Sequence, residues 1–125
     1  LVLESVYPNI QDAVHNRVAA KLGLLASIPA NLLLFQLQPR LGISPAELCP
    51  IDHLPDIGCP VCIASGKDDL HTTESETRAM FSVASEPKQL WLVDGAAHVD
   101  LLRENPVEYK ERIVGFFDCY LRGHR

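Results

Sequence analysis

Apolar positions along the chain fall into two kinds of pattern. Leu1 to Leu3, Pro60 to Ser65 and Gln89 to Val93 are short, nearly continuous apolar runs without strict alternation. That pattern predicts strands of a parallel sheet covered on both faces. Elsewhere the spacing is helical. Ile10, Val14, Val18 and Leu22 recur every four residues, with Asn9 placed to cap, Asp12 in the first turn and Gly23 to stop the helix. Thr73 and Glu76 form a capping box that opens a helix through Met80, Val83 and Ala84 to Ser85, and Pro87 divides it from the next strand. Asn105, Pro106 and Glu108 supply a cap, a first-turn proline and a third-position glutamate. Tyr109, Ile113, Phe116, Phe117 and Tyr120 then form the apolar face of a helix that Gly123 ends.

The middle of the chain is less regular. A short helix is expected from about Pro29 to Leu37. Its Leu32, Leu33, Leu34, Phe35 and Leu37 surround the axis, which predicts burial on more than one side. Residues 24–48 therefore read either as a lid or pocket wall, or as ordinary packing. Residues 43–58 are rich in proline and turn formers, and Ser44, Pro45, Ala46 and Glu47 start a single helical turn. His53 falls in this loop, where nothing at its spacing calls for chemistry.

The predicted order is strand, helix, lid-like segment, strand, helix, strand, helix. A helix linking two strands over few loop residues is a right-handed parallel crossover. The whole is the second half of a doubly wound α/β domain with about three parallel strands. Three such strands leave one apolar edge unpaired, through which the chain is expected to self-associate.

Composition narrows the possibilities. A chain of 125 residues has room for one small domain, and 47% hydrophobic with 22% charged residues fits a folded chain. A net charge of −5 gives no basic face for nucleic acid, and no apolar run approaches the ~18 residues of a membrane span. Cys59 and Cys62 have C-x-x-C spacing, but they lead into a strand, where positions three apart point to opposite faces. That argues against a disulfide or a metal knuckle and for reduced thiols in a cytoplasmic protein. A redox or metal role for the pair stays as a third reading. The chain opens inside a strand, without methionine or signal peptide, as expected of a piece of a longer protein.

The chemistry-bearing residues follow the glycines that end two strands. Asp69 comes just after Gly66, and His98 just after Gly95. One crossover unit separates them, so both loops are expected at the same sheet edge. An acid and a histidine there are two members of a Ser-His-Asp triad, in which the acid holds the imidazole that accepts the serine proton.

Two longer motifs carry a family resemblance. Cys59-Pro60-Val61-Cys62-Ile63-Ala64-Ser65-Gly66-Lys67-Asp68-Asp69 resembles the acid strand of α/β-hydrolases, and Leu92-Val93-Asp94-Gly95-Ala96-Ala97-His98 resembles their histidine loop. Leu1 to Pro8 is similar to the strand after the nucleophile helix, and Pro50-Ile51-Asp52 to the segment leading into the acid strand. The likeness spans essentially the whole chain and is nearest to serine hydrolases of the prolyl-oligopeptidase-like and fermentation-respiration-switch-like type.

The resemblance implies the C-terminal portion of an α/β-hydrolase fold, with residues 59–125 holding the acid strand, histidine loop and last helix. It implies Asp69 as triad acid and His98 as base, with no cofactor or metal, acting on an ester, thioester or peptide substrate. Asp68 competes with Asp69; the acid of the family motif stands third after the glycine, which selects Asp69 and leaves Asp68 as a loop-capping carboxylate. His71 is expected on the surface and Asp100 as a local turn or cap acid.

The sequence departs from the family at the nucleophile. Its serine lies in a G-x-S-x-G elbow, and none of the seven glycines here frames a serine that way. Ser65 lies within a strand, and Ser5 follows one without flanking glycines. The nucleophile and the oxyanion hole are therefore expected upstream of Leu1, with this chain alone inactive. The alternative is a degenerate, non-catalytic hydrolase domain that binds a partner through its open sheet edge.

Overall fold

The computed structural model describes residues 1–122; Gly123, expected to end the last helix, lies outside the described residues. Three strands form one parallel sheet in the order β1 (Val2–Glu4), β2 (Val61–Gly66), β3 (Lys88–Val93). Val2 pairs with Cys62 and Val61 with Lys88. Parallel neighbours require crossovers. The first passes through α1 (Ile10–Leu22), α2 (Ser27–Phe35), α3 (Leu37–Leu41) and α4 (Pro50–His53), and the second through α5 (Glu74–Val83). After β3 come α6 (Leu101–Glu104), α7 (Pro106–Tyr109), a π-helical stretch (Lys110–Val114) and α8 (Gly115–Arg122).

The expected caps are in place. The Asn9 side chain accepts from the Asp12 N–H, and Gly23 ends α1 at a φ of 54°. Thr73 and Glu76 close a reciprocal capping box at α5, and Ser44 and Glu47 close another around the Pro45–Glu47 turn.

Every residue of β2 is buried, because alternate side chains serve two cores. Cys62 and Ala64 face a cluster with Trp91, Val93, Leu101, Ile113 and Phe116, while Val61 and Ile63 face Leu54, Met80 and Ala84. Leu54, Met80 and Leu101 are fully enclosed, so shortening any of them to alanine costs about 2–5 kcal/mol.

Four expectations are corrected. The central helix starts earlier than Pro29, at Ser27, and breaks at Gln36 before a second helix. It is not buried on several sides: Ala30 and Leu34 pack inward, whereas Ile28, Leu32, Leu33 and Phe35 are exposed. One helical face meets α1, and the apolar side chains on the other are exposed. The α1 stripe of Val14, Val18 and Leu22 likewise is not core; only Ala13 of that helix is buried. Finally, the last helix is interrupted by the π-helical stretch, and its Phe117 is exposed although Ile113 and Phe116 are buried.

Candidate active site

Two loops leave the carboxyl ends of β2 and β3 and run side by side. The Lys67 N–H donates to the Val93 carbonyl and the Asp68 N–H to the Ala96 carbonyl, both at 2.9 Å. These bonds carry the parallel ladder past the strand ends and bring Asp69 beside His98. Gly66 permits the approach: a Cβ there would fall 2.2 Å from the Ala96 oxygen and 2.6 Å from that of Ala97. Gly95 turns with a φ of 74°, in the left-handed region open to glycine.

Asp69 is 2% exposed, and four donors surround its carboxylate. The N–H groups of His71 (2.7 Å) and Thr72 (2.9 Å) donate to Oδ1. The Thr72 hydroxyl (2.9 Å) and His98 Nδ1 (2.8 Å) reach Oδ2. Burial pushes the Asp69 carboxyl upward, but the Thr72 N–H, His98, the His71 N–H and the Thr72 hydroxyl together outweigh it and hold it below the usual carboxylate range.

An ionised carboxylate only accepts, so the proton of the 2.8 Å contact belongs to His98 Nδ1. In the neutral ring this leaves Nε2 as the lone-pair nitrogen. The His98 side chain is 36% exposed, and Nε2 has no hydrogen-bond partner among the described residues. The arrangement can take a proton from a group in the cleft and stabilise the resulting imidazolium.

Thr72 escaped the sequence reading. Buried three residues past the acid, it binds Asp69 through both its N–H and its hydroxyl, and its oxygen also lies 3.3 Å from His98 Nδ1. The signal was the threonine at the third position after the acid, just ahead of the helix cap.

Asp68 is exposed, and its carboxylate makes no hydrogen bond among the described residues, so it does not cap the loop as expected. His71 is not a free surface residue: it is half-buried, and its ring meets the edge of the His98 ring at a centroid distance of 5.3 Å. Asp100 caps α6 through the Arg103 N–H. His53 is exposed at the end of α4.

Ser65 is enclosed in β2 with its hydroxyl unpaired, and Ser5, at a φ of 48° after β1, has an equally enclosed, unpaired hydroxyl. No serine is hydrogen-bonded to His98 among the described residues. Of the two C-x-x-C thiols, Cys59 is exposed and Cys62 is buried, and all four cysteines are free. Among the described residues, no group of three or more metal-ligating side chains occurs, and no helix is long and apolar enough to cross a membrane.

A cavity of about 630 Å³ opens beside the pair. His98 and His71 line it, together with Val18 and Leu22 of α1 and Pro29 and Leu33 of α2. Val18 and Leu22 of the α1 stripe thus serve this cavity rather than the core.

No protein-family model matches the sequence, and no curated protein matches it. Solved structures do. An α/β-hydrolase enzyme, MGS-MChE2, from the metagenome of sediments of the Mar Chica lagoon in Morocco is 20% identical with a TM-score of 0.57, over 94% of this chain and 48% of that one. The Pyrococcus furiosus esterase PF2001 is 21% identical with a TM-score of 0.59, over 90% of this chain and 42% of its own. The Pyrococcus horikoshii acylaminoacyl peptidase superposes on 94% of this chain at a TM-score of 0.59 and 12% identity, using 19% of its length. The chain thus spans about half the length of the first matched structures, or less. Parallel strands, flanking helices and these superpositions together identify the architecture: the chain has the α/β-hydrolase fold, as a three-stranded part of it.

Proposed function

We propose that this chain is the acid- and base-bearing, C-terminal part of a serine hydrolase that cleaves carboxylic ester, thioester or amide bonds. The observation that carries the reading is the 2.8 Å contact between His98 Nδ1 and the buried, four-fold hydrogen-bonded Asp69. A serine and two oxyanion-binding N–H groups come from sequence outside these 125 residues. His98 Nε2 takes the serine proton as the hydroxyl attacks the carbonyl, then delivers it to the leaving group. Water repeats the sequence on the acyl-enzyme, with Asp69 holding the imidazole throughout. Residues 24–48 act as the lid and pocket wall. Four free thiols suit a reducing, cytoplasmic setting.

Fluorophosphonate labelling with an intact-mass readout tests the proposal. The 125-residue chain stays unlabelled. Protein that also carries the upstream segment takes one adduct, on a serine outside residues 1–125, and His98→Ala abolishes it. Labelling of a serine within the chain, or labelling indifferent to His98, overturns the reading.

A second reading, a non-catalytic domain binding a partner at the β1 edge, draws on the absence of any serine bonded to His98 among the described residues. It requires that protein with the upstream segment stay unlabelled and lack esterase turnover.

A further inference from the structure

The cavity beside His98 carries charge against the sign of the molecule. The chain as a whole has a net charge of −5, yet the charged residues that line this cavity, apart from its two histidines, are Arg17 and Lys21. They stand four positions apart on α1, one above the other on the same face. Neither belongs to an ion pair or a side-chain hydrogen bond among the described residues; Arg40, Arg103 and Lys110 are likewise unpaired, but none of those three lines the cavity, whereas Lys67, Arg78, Arg112 and Arg122 are each paired with a carboxylate. The rest of the lining, besides these cations and the two histidines, is apolar: Val18 and Leu22 from α1, Pro29 and Leu33 from α2. At about 630 Å³ the volume suits a small organic ligand.

We infer that this cavity binds an amphipathic anion: an aliphatic chain between α1 and α2, with a carboxylate or phosphate held by Arg17 and Lys21. A guanidinium one turn from an ammonium can grip one anionic group through several charge-assisted hydrogen bonds. The apolar walls provide the affinity, and the cations select against neutral chains of the same length. On the hydrolase reading, on which this assignment of substrate class rests, the preferred substrate is an acyl compound that carries an anionic group and has its scissile carbonyl near His98.

Octanoate and octan-1-ol are the probes, followed by amide chemical-shift changes on the isotopically labelled chain. Octanoate is expected to bind about tenfold more tightly than the alcohol, with shifts confined to α1, α2 and the loops holding His71 and His98. Raising the salt concentration narrows the difference. Arg17→Gln with Lys21→Gln, both at exposed positions, brings octanoate down to the level of the alcohol and leaves alcohol binding unchanged. Leu33→Asp, on the half-exposed wall, weakens both probes. Equal affinity for the two probes, shifts centred elsewhere, or an anion preference that survives the double substitution would overturn the inference. Binding needs no turnover, so the two readings fail separately. Retained octanoate preference with labelling indifferent to His98 overturns the hydrolysis. Intact labelling without anion preference overturns the anion site alone.

Discussion

Gly66 and Ala96 come so close that no side chain fits between them: a Cβ on Gly66 would lie 2.2 Å from the Ala96 carbonyl oxygen. That oxygen belongs to the histidine loop and also accepts the Asp68 N–H. The contact therefore sets the distance between the two loops whose tips carry Asp69 and His98. Gly66→Ala is expected to push the histidine loop outward and to destabilise the fold by about 1–3 kcal/mol, the usual cost of overpacking. Urea unfolding gives the stability change. The Nδ1 proton resonance of His98, held by Asp69 in the parent, is expected to disappear through exchange in the variant.

Thr72→Val removes a hydroxyl from Asp69 while keeping the shape of the side chain. It is expected to raise the Asp69 pKa, since one of four donors to the ionised carboxylate is gone, and to cost about 1–3 kcal/mol. Thr72→Ser restores both effects in large part. A carbon-detected titration of the Asp69 carboxyl measures the first and thermal unfolding the second. If valine leaves the titration where it was, the hydroxyl does not hold the acid.

The Asp69 carboxyl also sets a pH dependence. Its folded-state pKa lies below its unfolded value, so the unfolded chain binds the proton more readily. The associated stability is present above about pH 4, the ordinary carboxylate value, and is lost as pH falls through the lower folded value. Unfolding midpoints should thus fall from pH 5 toward pH 2, and Asp69→Asn should flatten that part of the curve while lowering stability above it.

Thiol reactivity separates the two cysteines of the C-x-x-C spacing. Burial pushes the Cys62 thiol up, and its side chain is packed with Ala64 and Trp91. Cys59 and Cys119 are exposed. An alkylating reagent at pH 8 is expected to modify Cys59 and Cys119 within minutes and Cys62 only on unfolding. Loss of structure on modification of Cys59 would restore a redox or metal role for the pair.

Legibility in the sequence followed locality. The caps at Asn9, Thr73 and Ser44 were readable because each motif satisfies backbone donors within one helical turn. The strand at Val61 was readable because burial on both faces leaves an unbroken apolar run, and the one that ends at Val93 from its apolar Leu90 to Val93, of which only Trp91 and Val93 are buried. The proximity of Asp69 and His98 followed from one crossover unit. What misled was tertiary. Leu32, Leu33 and Phe35 read as buried because an apolar side chain carries no record of whether anything covers it. Thr72 was passed over because a threonine ahead of a cap reads as part of the turn, and its link to His98 spans 26 positions. The π-helical stretch at Lys110–Val114 leaves no sequence signature of its own.

The sheet register has a kinetic consequence. Pairing β1 with β2 joins Val2 to Cys62, whereas pairing β2 with β3 joins Val61 to Lys88, less than half that chain distance. The shorter closure costs less entropy, and α5 caps itself on the way. The unit from Val61 to Val93 is therefore expected to assemble first, with β1 docking last. In the 125-residue chain the order is expected to reverse: β1, three residues long and at one end of the described sheet, should open first, which hydrogen exchange on that chain would read. Asp69 and Thr72 lie inside the early unit and His98 five residues past its end, so the acid and its histidine are expected to stay joined in a molecule from which the first strand has peeled away.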